Sequence, residues 1–356
     1  MPVTPQKTVG IIANPASGKD IRRLIASGMT VTNQEKQNTI IRMLLAMDAL
    51  GVERVEIMPD TTGMGQRVID EIAGDLTTTR VSVLEMPYIL GTQKDSIRAA
   101  ALMAERDFAC IIVMGGDGTS RVVSKSCGEV PLVPVSTGTN NVFPQMIEGT
   151  LVGLAAAAVA KGVLTQAEAC DRAPRLELLR DHVLIDIALV DLVVVRARDI
   201  AARAVWEPST IHSVFLTQAD PAAIGLSAIG GQLQPMPRYS GQALNIRLAE
   251  NAAETKQTVM APIAPGLVKT LPIAGHQRFS EGEQIPLNFS PCVIALDGER
   301  EVAIREGESY AVRLNLCGPW VVNVERTLAL ATQKQYLCFN ASQDGNRQEW
   351  NAACGF

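Results

Sequence analysis

Four short segments of this chain set glycine, small hydroxyl or amide side chains and carboxylates directly behind apolar, strand-like runs. The most distinctive is Gly115-Gly116-Asp117-Gly118-Thr119, behind Ala109–Met114. Its glycines let a backbone approach a ligand closely and admit positive φ. Thr119 and the start of the next helix would offer N–H groups to an anion. A carboxylate in such a cradle repels a bare phosphate. Asp117 therefore makes sense as a base for an incoming hydroxyl or as a contact through Mg²⁺. The segment is not a G-x-G-x-x-G fingerprint, because the sixth residue from Gly116 is Arg121, and no such fingerprint comes after the first strand-like run. That argues against a nicotinamide dehydrogenase.

The segment Asn14-Pro15-Ala16-Ser17-Gly18-Lys19 comes directly after the run Val9–Ala13. Asp20 stands where a Walker A loop needs Ser or Thr, so this is no P-loop. It reads either as an ordinary strand-to-helix turn or as a loop whose Asn14, Ser17 and Gly18 touch a phosphate. Ser136-Thr137-Gly138-Thr139-Asn140-Asn141 ends another apolar run. Its hydroxyls and amides at Thr137, Gly138, Thr139 and Asn140 suit phosphate and ribose contacts. Asp297-Gly298-Glu299 comes after Val293–Leu296. Asp-Gly is a hairpin-turn signal. Its carboxylates could instead hold Mg²⁺, at Asp297, or abstract a proton, at Glu299.

The elements that must carry these segments alternate in the first part of the chain. Strand-like Val9–Ala13, Val52–Met58, Arg80–Met86, Phe108–Met114 and Val130–Val135 are interleaved with helical patterns at Gln34–Leu50, Gly63–Ile72 and Ser96–Glu105. Thr92 and Asp95 form a capping box for the last of these. This rhythm predicts an α/β domain with a doubly wound parallel sheet over residues 1–150, where ligands bind at the carboxyl ends of the strands. An Ala-rich helix, Leu151–Lys161, comes next. Strand-like runs then dominate: Leu176–Leu179, Val183–Val195, Ile211–Leu216, Ala243–Leu248, Ile285–Leu296, Glu301–Ile304 and Tyr310–Leu316. They predict a β-rich, mostly antiparallel domain over 151–324. Glu325–Tyr336 recovers helical periodicity, and Asn340–Phe356 is polar.

Composition excludes several functions. With 356 residues and 47% hydrophobic content the chain has material for about two cored domains. A net charge of −5 and only 4% aromatics leave no footprint for nucleic acid. The seven cysteines include no C-x-x-C, and the three histidines are not spaced as a metal pair. Cys127 reads as a buried thiol. Leu151–Ala160 is too short to span a bilayer, and Ile185–Val195 carries Asp186 and Asp191. Those two aspartates read as sheet-edge or turn carboxylates, Trp206 as a packed side chain and His212 as a surface one. With no transmembrane segment and no signal-peptide pattern, a cytoplasmic protein is expected.

In order, N-P-x-S-G, G-G-D-G-T, T-G-T-N and D-G-E resemble the superfamily of NAD kinases and diacylglycerol- and sphingosine-type lipid kinases, across nearly the whole chain. Asn14–Lys19 and Pro131–Pro144 look most like the acetoin-catabolism protein X group of ATP–NAD kinase-like proteins. The resemblance implies an active cleft between the two domains, ATP and Mg²⁺, and a chain end, 325–356, that returns to the first domain. It ties Asp117 to catalysis, the glycines at 115, 116 and 118 to phosphate, and Glu299 to the role of proton acceptor. Kinship suggests a homodimer or larger assembly. Leu226–Gly231 resembles a Ser-Ala-Gly-Gly-like turn of NAD kinases, whereas Gln218–Ala223 lacks the hydroxyls that precede it there. The implied activity is transfer of a phosphoryl group from ATP to a hydroxyl, with NAD(H) as the first small-molecule acceptor. A lipid, or a hydroxy-metabolite linked to acetoin catabolism, is the alternative. A non-catalytic nucleotide-binding regulator is the other.

Overall fold

The apolar runs of the first part become the inner strands of a parallel sheet in the computed structural model, which describes residues 8–15, 17, 31–138, 140–197 and 208–338. The order along the chain is β1 (Val9–Ala13), α1 (Asn33–Ala49), β2 (Arg54–Ile57), α2 (Met64–Ile72), β3 (Arg80–Val83), α3 (Gln93–Glu105), β4 (Cys110–Gly115), α4 (Asp117–Ser124) and β5 (Leu132–Ser136). All pairings among these strands are parallel. Every residue of β1 and β4 is buried, as central strands covered on both faces must be. On one face α1 and α2 pack on Val9, Ile11, Cys110 and Ile112; on the other, α3 and α4 pack on Ile12, Ile111 and Val113. Thr92 and Asp95 do form the expected capping box, but the helix starts at Gln93 rather than Ser96. A second box, Thr32 with Glu35, starts α1.

The Ala-rich helix is α5 (Gly149–Ala160), then come the short α6 (Gln166–Ala169) and β6 (Cys170–Arg172). Small residues let α5 lie hard against α1: a Cβ on Gly153 would stand 2.4 Å from the Met43 carbonyl oxygen.

The β-rich part contains β7 (Arg175–Arg180), β8 (Val183–Ala188), β9 (Asp191–Val195), β10 (Ile211–Leu216), α7 (Ser227–Leu233), β11 (Gln242–Leu248), β12 (Gln257–Ala264), β13 (Leu267–Ser280), β14 (Gln284–Pro286), β15 (Cys292–Leu296), β16 (Glu299–Ile304) and β17 (Tyr310–Asn315). Two antiparallel sheets, β12-β13-β11-β10-β9-β15-β16 and β14-β17-β7-β8, face each other across a core that includes Leu176, Leu192, Phe215, Ile294 and Val312. The chain then returns through β18 (Trp320–Val322), which pairs in parallel with β5, and α8 (Val324–Gln333). The first sheet therefore reads β3-β2-β1-β4-β5-β18-β6.

Three sequence expectations change here. Val183–Val195 is not one strand: it leaves one sheet as β8 and enters the other as β9, bending at Leu189-Val190. Ile285–Leu296 likewise splits into β14 and β15, in different sheets. Local composition does not reveal such a break: Leu189 and Val190, at the first bend, are themselves apolar and buried. The long hairpin β12–β13 escapes the sequence pattern. Exposed Met260 is apolar in β12, and His276, Gln277 and Arg278 are exposed in succession in β13, which breaks the alternation of apolar and polar residues.

Candidate active site

Strand order reverses between β1 and β4: β2 and β3 lie on one side, β5 on the other. Such a switch point opens a crevice at the carboxyl ends of the strands, and the first three chemical segments converge there. Asn14 Nδ2 donates to Thr119 Oγ1 at 3.2 Å, and the Ser17 and Thr137 hydroxyls are 3.0 Å apart. The Thr137 amide donates to the Gly115 carbonyl at 3.2 Å. A Cβ on Gly116 would stand 2.7 Å from Asn141 Oδ1, so glycine lets the third loop close over the second. Asn141 Nδ2 in turn donates to Ser136 Oγ at 2.8 Å. Gly138 and Asn140 lie half-buried in the same loop. Gly18 and Thr139 lie outside the described residues.

Sequence reasoning missed Lys36. Its ammonium, fully buried on α1, donates to the carbonyls of Asn14 at 2.9 Å and Ser17 at 2.7 Å. It thereby fixes the first loop to a helix. The available signal was a lysine on the apolar face of that helix, four residues before Ile40.

Asp117 opens α4, whose N-cap, Gly116, offers no side-chain cap. Its carboxylate accepts from the amides of Val142 (3.0 and 3.2 Å) and Phe143 (2.7 Å). The fourth segment arrives from the β-rich part. Asp297 (φ 49°) and Gly298 (φ 82°) make the tight turn between β15 and β16, with both central residues at positive φ as a type I′ hairpin requires. That turn places Glu299 against the glycine loop. Glu299 Oε1 would lie 3.3 Å from a Cβ on Gly118, and Glu299 accepts from Gln93 Nε2, at the start of α3, at 2.7 Å. The hairpin and the functional reading of D-G-E are thus compatible, since the turn is what delivers the glutamate.

Asp297 is set behind this crevice. It is buried at the β8–β9 bend and accepts from the amides of Leu189 (2.9 Å), Val190 (2.7 Å) and Asp191 (3.1 Å). Burial and the neighbouring Asp191 push it up to about 8, against the pull of Arg121 and of the Leu189 amide. Its oxygens serve backbone donors, which a metal there would have to displace.

Arg121 of α4, fully buried, joins the two parts of the molecule. Its guanidinium meets Asp186 at 3.2 Å, Glu301 at 2.8 Å and Asp297 at 4.0 Å. These carboxylates hold its charge on despite burial. Asp186 also receives Lys125 at 2.6 Å; it is the sheet-edge carboxylate expected, on the edge strand β8, and it pairs with cations of α4 and the residue after it. His212 is half-buried rather than a fully exposed surface side chain, because the Phe289 ring stacks on it at 4.2 Å. Burial lowers its pKa. Cys127 is buried and its thiol is pushed up to about 12. Trp206 lies outside the described residues. The Leu226–Gly231 segment is mostly helix α7. A Cβ on Gly231 would stand 2.3 Å from the Asp220 carbonyl oxygen, so those glycines serve packing.

At the crevice rim, Tyr88, Ile89 and Leu90 are about half exposed. The loop is fastened: Leu90 N donates to Asp95 at 2.9 Å, and the Arg98 guanidinium lies 3.7 Å from the Tyr88 ring centroid.

The donor set fits a polyphosphate. An open helix N-terminus preceded by two glycines accepts an anion. Among the described residues no three His, Cys, Asp or Glu side chains converge as a metal cage. No helix among the described residues is long and apolar enough to cross a membrane.

Comparison with known proteins agrees with this architecture. Residues 9–163 match the ATP-NAD kinase N-terminal domain, and residues 174–316 match the acetoin catabolism protein X C-terminal domain. The acetoin catabolism protein X of Cupriavidus necator is 42% identical over 315 residues, covering 86% of this chain and 87% of that protein. With an NAD-kinase-type sheet carrying the glycine loop and the second matched domain delivering Glu299 to it, the chain belongs to the acetoin catabolism protein X family.

Proposed function

We propose that this protein transfers a phosphoryl group from ATP, with Mg²⁺, to a hydroxyl of a small-molecule acceptor, with NAD(H) the first to test. The observation that carries the reading is the meeting of Glu299 with the Gly115–Thr119 loop, across the boundary between the two domains. In this reading the α4 N-terminus and the loops bearing Asn14, Ser17, Thr137 and Asn140 hold the phosphates. Mg²⁺, when bound, neutralises phosphate charge. Asp117 keeps the third loop and the glycine loop in one geometry, with its carboxylate toward the phosphate cradle. Glu299 takes the acceptor proton as the new O–P bond forms and the bond to the departing ADP breaks. Glu299 is the better base because Asp117 already accepts from two backbone amides, which favour its ionised form and lower its basicity. Positioning and charge stabilisation supply most of the acceleration in such transfers.

The exposed Tyr88-Ile89-Leu90 rim favours a second acceptor class, a hydroxyl compound with an apolar body. The rim precedes by three residues the Gln93 that touches Glu299.

The test is transfer of radiolabel from γ-labelled ATP·Mg²⁺ to NAD⁺, NADH, diacylglycerol, sphingosine and acetoin-derived diols, with Glu299→Gln alongside. Label on NAD(H), lost in the variant, supports the first acceptor. Label on a lipid supports the second. ATP binding with no labelled product overturns the kinase reading in favour of a nucleotide-binding regulator.

A further inference from the structure

Val142 and Phe143 form a two-sided tape between the domains. Their amides face Asp117, at 3.0 and 2.7 Å. Their carbonyls face Arg238, from the segment between α7 and β11: its Nη2 donates to Val142 O at 2.7 Å and Phe143 O at 3.2 Å. Gln218 braces this guanidinium, accepting from its Nε at 2.8 Å, while Gln218 Nε2 approaches Val142 O at 3.4 Å. The Phe143 ring, buried among Ala173, Leu189 and Val190, lies 4.8 Å from the Arg238 guanidinium. One peptide unit, Val142–Phe143, thus carries a cation at its oxygen and a carboxylate at its N–H. Charge at one end of a peptide strengthens the hydrogen bond at the other, and more so away from water.

We infer that Arg238 is a positioning residue: through the Val142–Phe143 peptide it sets the orientation and charge state of Asp117, so that the β-rich domain tunes the carboxylate of the glycine loop. Gln218 is its brace. This rests on the proposed reading only where turnover is concerned; the electrostatic link stands on the contacts alone. Glu299 and Asp297, the other carboxyl groups facing the start of α4, stay unchanged in every variant of the test.

The experiment tracks the titration of Asp117 by NMR in protein labelled at aspartate Cγ, its signal identified by loss in Asp117→Asn. In Arg238→Met the midpoint rises by about half to one pH unit, since the amides release the ionised form. Gln218→Leu, a milder change, shifts it in the same direction by less, and Arg238→Lys recovers part of the wild-type value. A melting curve confirms that each variant is folded. An unmoved midpoint in folded Arg238→Met and Gln218→Leu overturns the inference. With ATP·Mg²⁺ and NAD⁺ as probes, Arg238→Met lowers kcat about tenfold at unchanged KM, and added guanidinium restores part of it. A kcat that stays at the wild-type value, beside a wild type that transfers label, also overturns it. A wild type that transfers no label defeats the kinase reading, while the NMR midpoint still decides the link.

Discussion

Asp117 and Asp297 are wrapped in much the same way and do different things. Each is a carboxyl group of a glycine-containing turn, and each is bound by consecutive backbone amides: Val142 and Phe143 for one, Leu189, Val190 and Asp191 for the other. Phe143, Leu189 and Val190 even share one small apolar cluster. The difference is access and company. Asp117 is half-buried at a helix N-terminus that opens on the crevice, where the local dipole favours an anion. Asp297 is buried beside Asp191, and two carboxyl groups in a dry place cannot both ionise cheaply. One amide-bound acid is half-buried at the start of α4, within the glycine loop. The other secures the bend by which the chain passes from one sheet of the sandwich to the other.

Neutralising each acid in turn should separate these roles. Asp117→Asn is expected to cut phosphoryl transfer by about 10²–10⁴-fold, with a melting temperature near that of the wild type. Asp297→Asn should leave turnover within a few-fold. Steady-state kinetics on the two purified variants decides this, and equal losses would erase the distinction.

The next effect in size concerns the buried guanidinium that reaches Asp186, Glu301 and Asp297. Arg121→Met leaves Glu301 without its cation and Asp186 with Lys125 alone, a loss of about 3–5 kcal/mol for breaking a buried ion pair. Denaturant unfolding should show it as a much lower midpoint, and a midpoint close to wild type would mean the cluster relaxes into water.

A smaller effect is in the pH dependence of stability. The folded-state pKa of Asp297 is raised from 3.8 to about 8. Between those values the folded protein holds a proton that the unfolded chain has released. Its contribution to stability is therefore full at acid pH and is lost as pH rises through about 8. The slope reaches about 1.4 kcal/mol per pH unit. Melting curves from pH 5 to 8 should fall more steeply for wild type than for Asp297→Asn. Parallel curves would show that Asp297 is ionised throughout.

The smallest expected change is Gly118→Ala. The new methyl would sit 3.3 Å from Glu299 Oε1, the far end of a flexible side chain, so a few-fold loss of kcat with an unchanged melting temperature is expected. A loss as large as that of Asp117→Asn would mean the Glu299 position tolerates no displacement.

Much of this site could be read from residue order. The glycine loop, the Asn14–Ser17 and Ser136–Asn141 segments and the D-G-E turn each sit directly behind an apolar strand, and parallel strands deliver the loops at their carboxyl ends to one edge of the sheet. Lys36, Arg121 and Arg238 could not be read so easily. Their work is contact with backbone carbonyls or with carboxylates 65 to 180 residues away, as for Arg121 with Asp186 and Glu301, and spacing along a chain carries no trace of that. The break at Leu189-Val190 was hidden for a related reason: its amides are satisfied by a side chain more than 100 residues on, so no local turn residue was needed to mark it.

The sequence by itself determined the alternating α/β half, the antiparallel β half, the glycine loop and a hairpin turn at Asp297-Gly298, because periodicity, β-branched runs and positive-φ residues act over a few residues. Only the tertiary structure decided which acid faces the crevice and which is sealed, that Glu299 meets Gly118, and that Arg238 reaches Asp117 through one peptide. Those outcomes depend on burial and on charge met across domains, quantities that exist only once the chain has closed on itself.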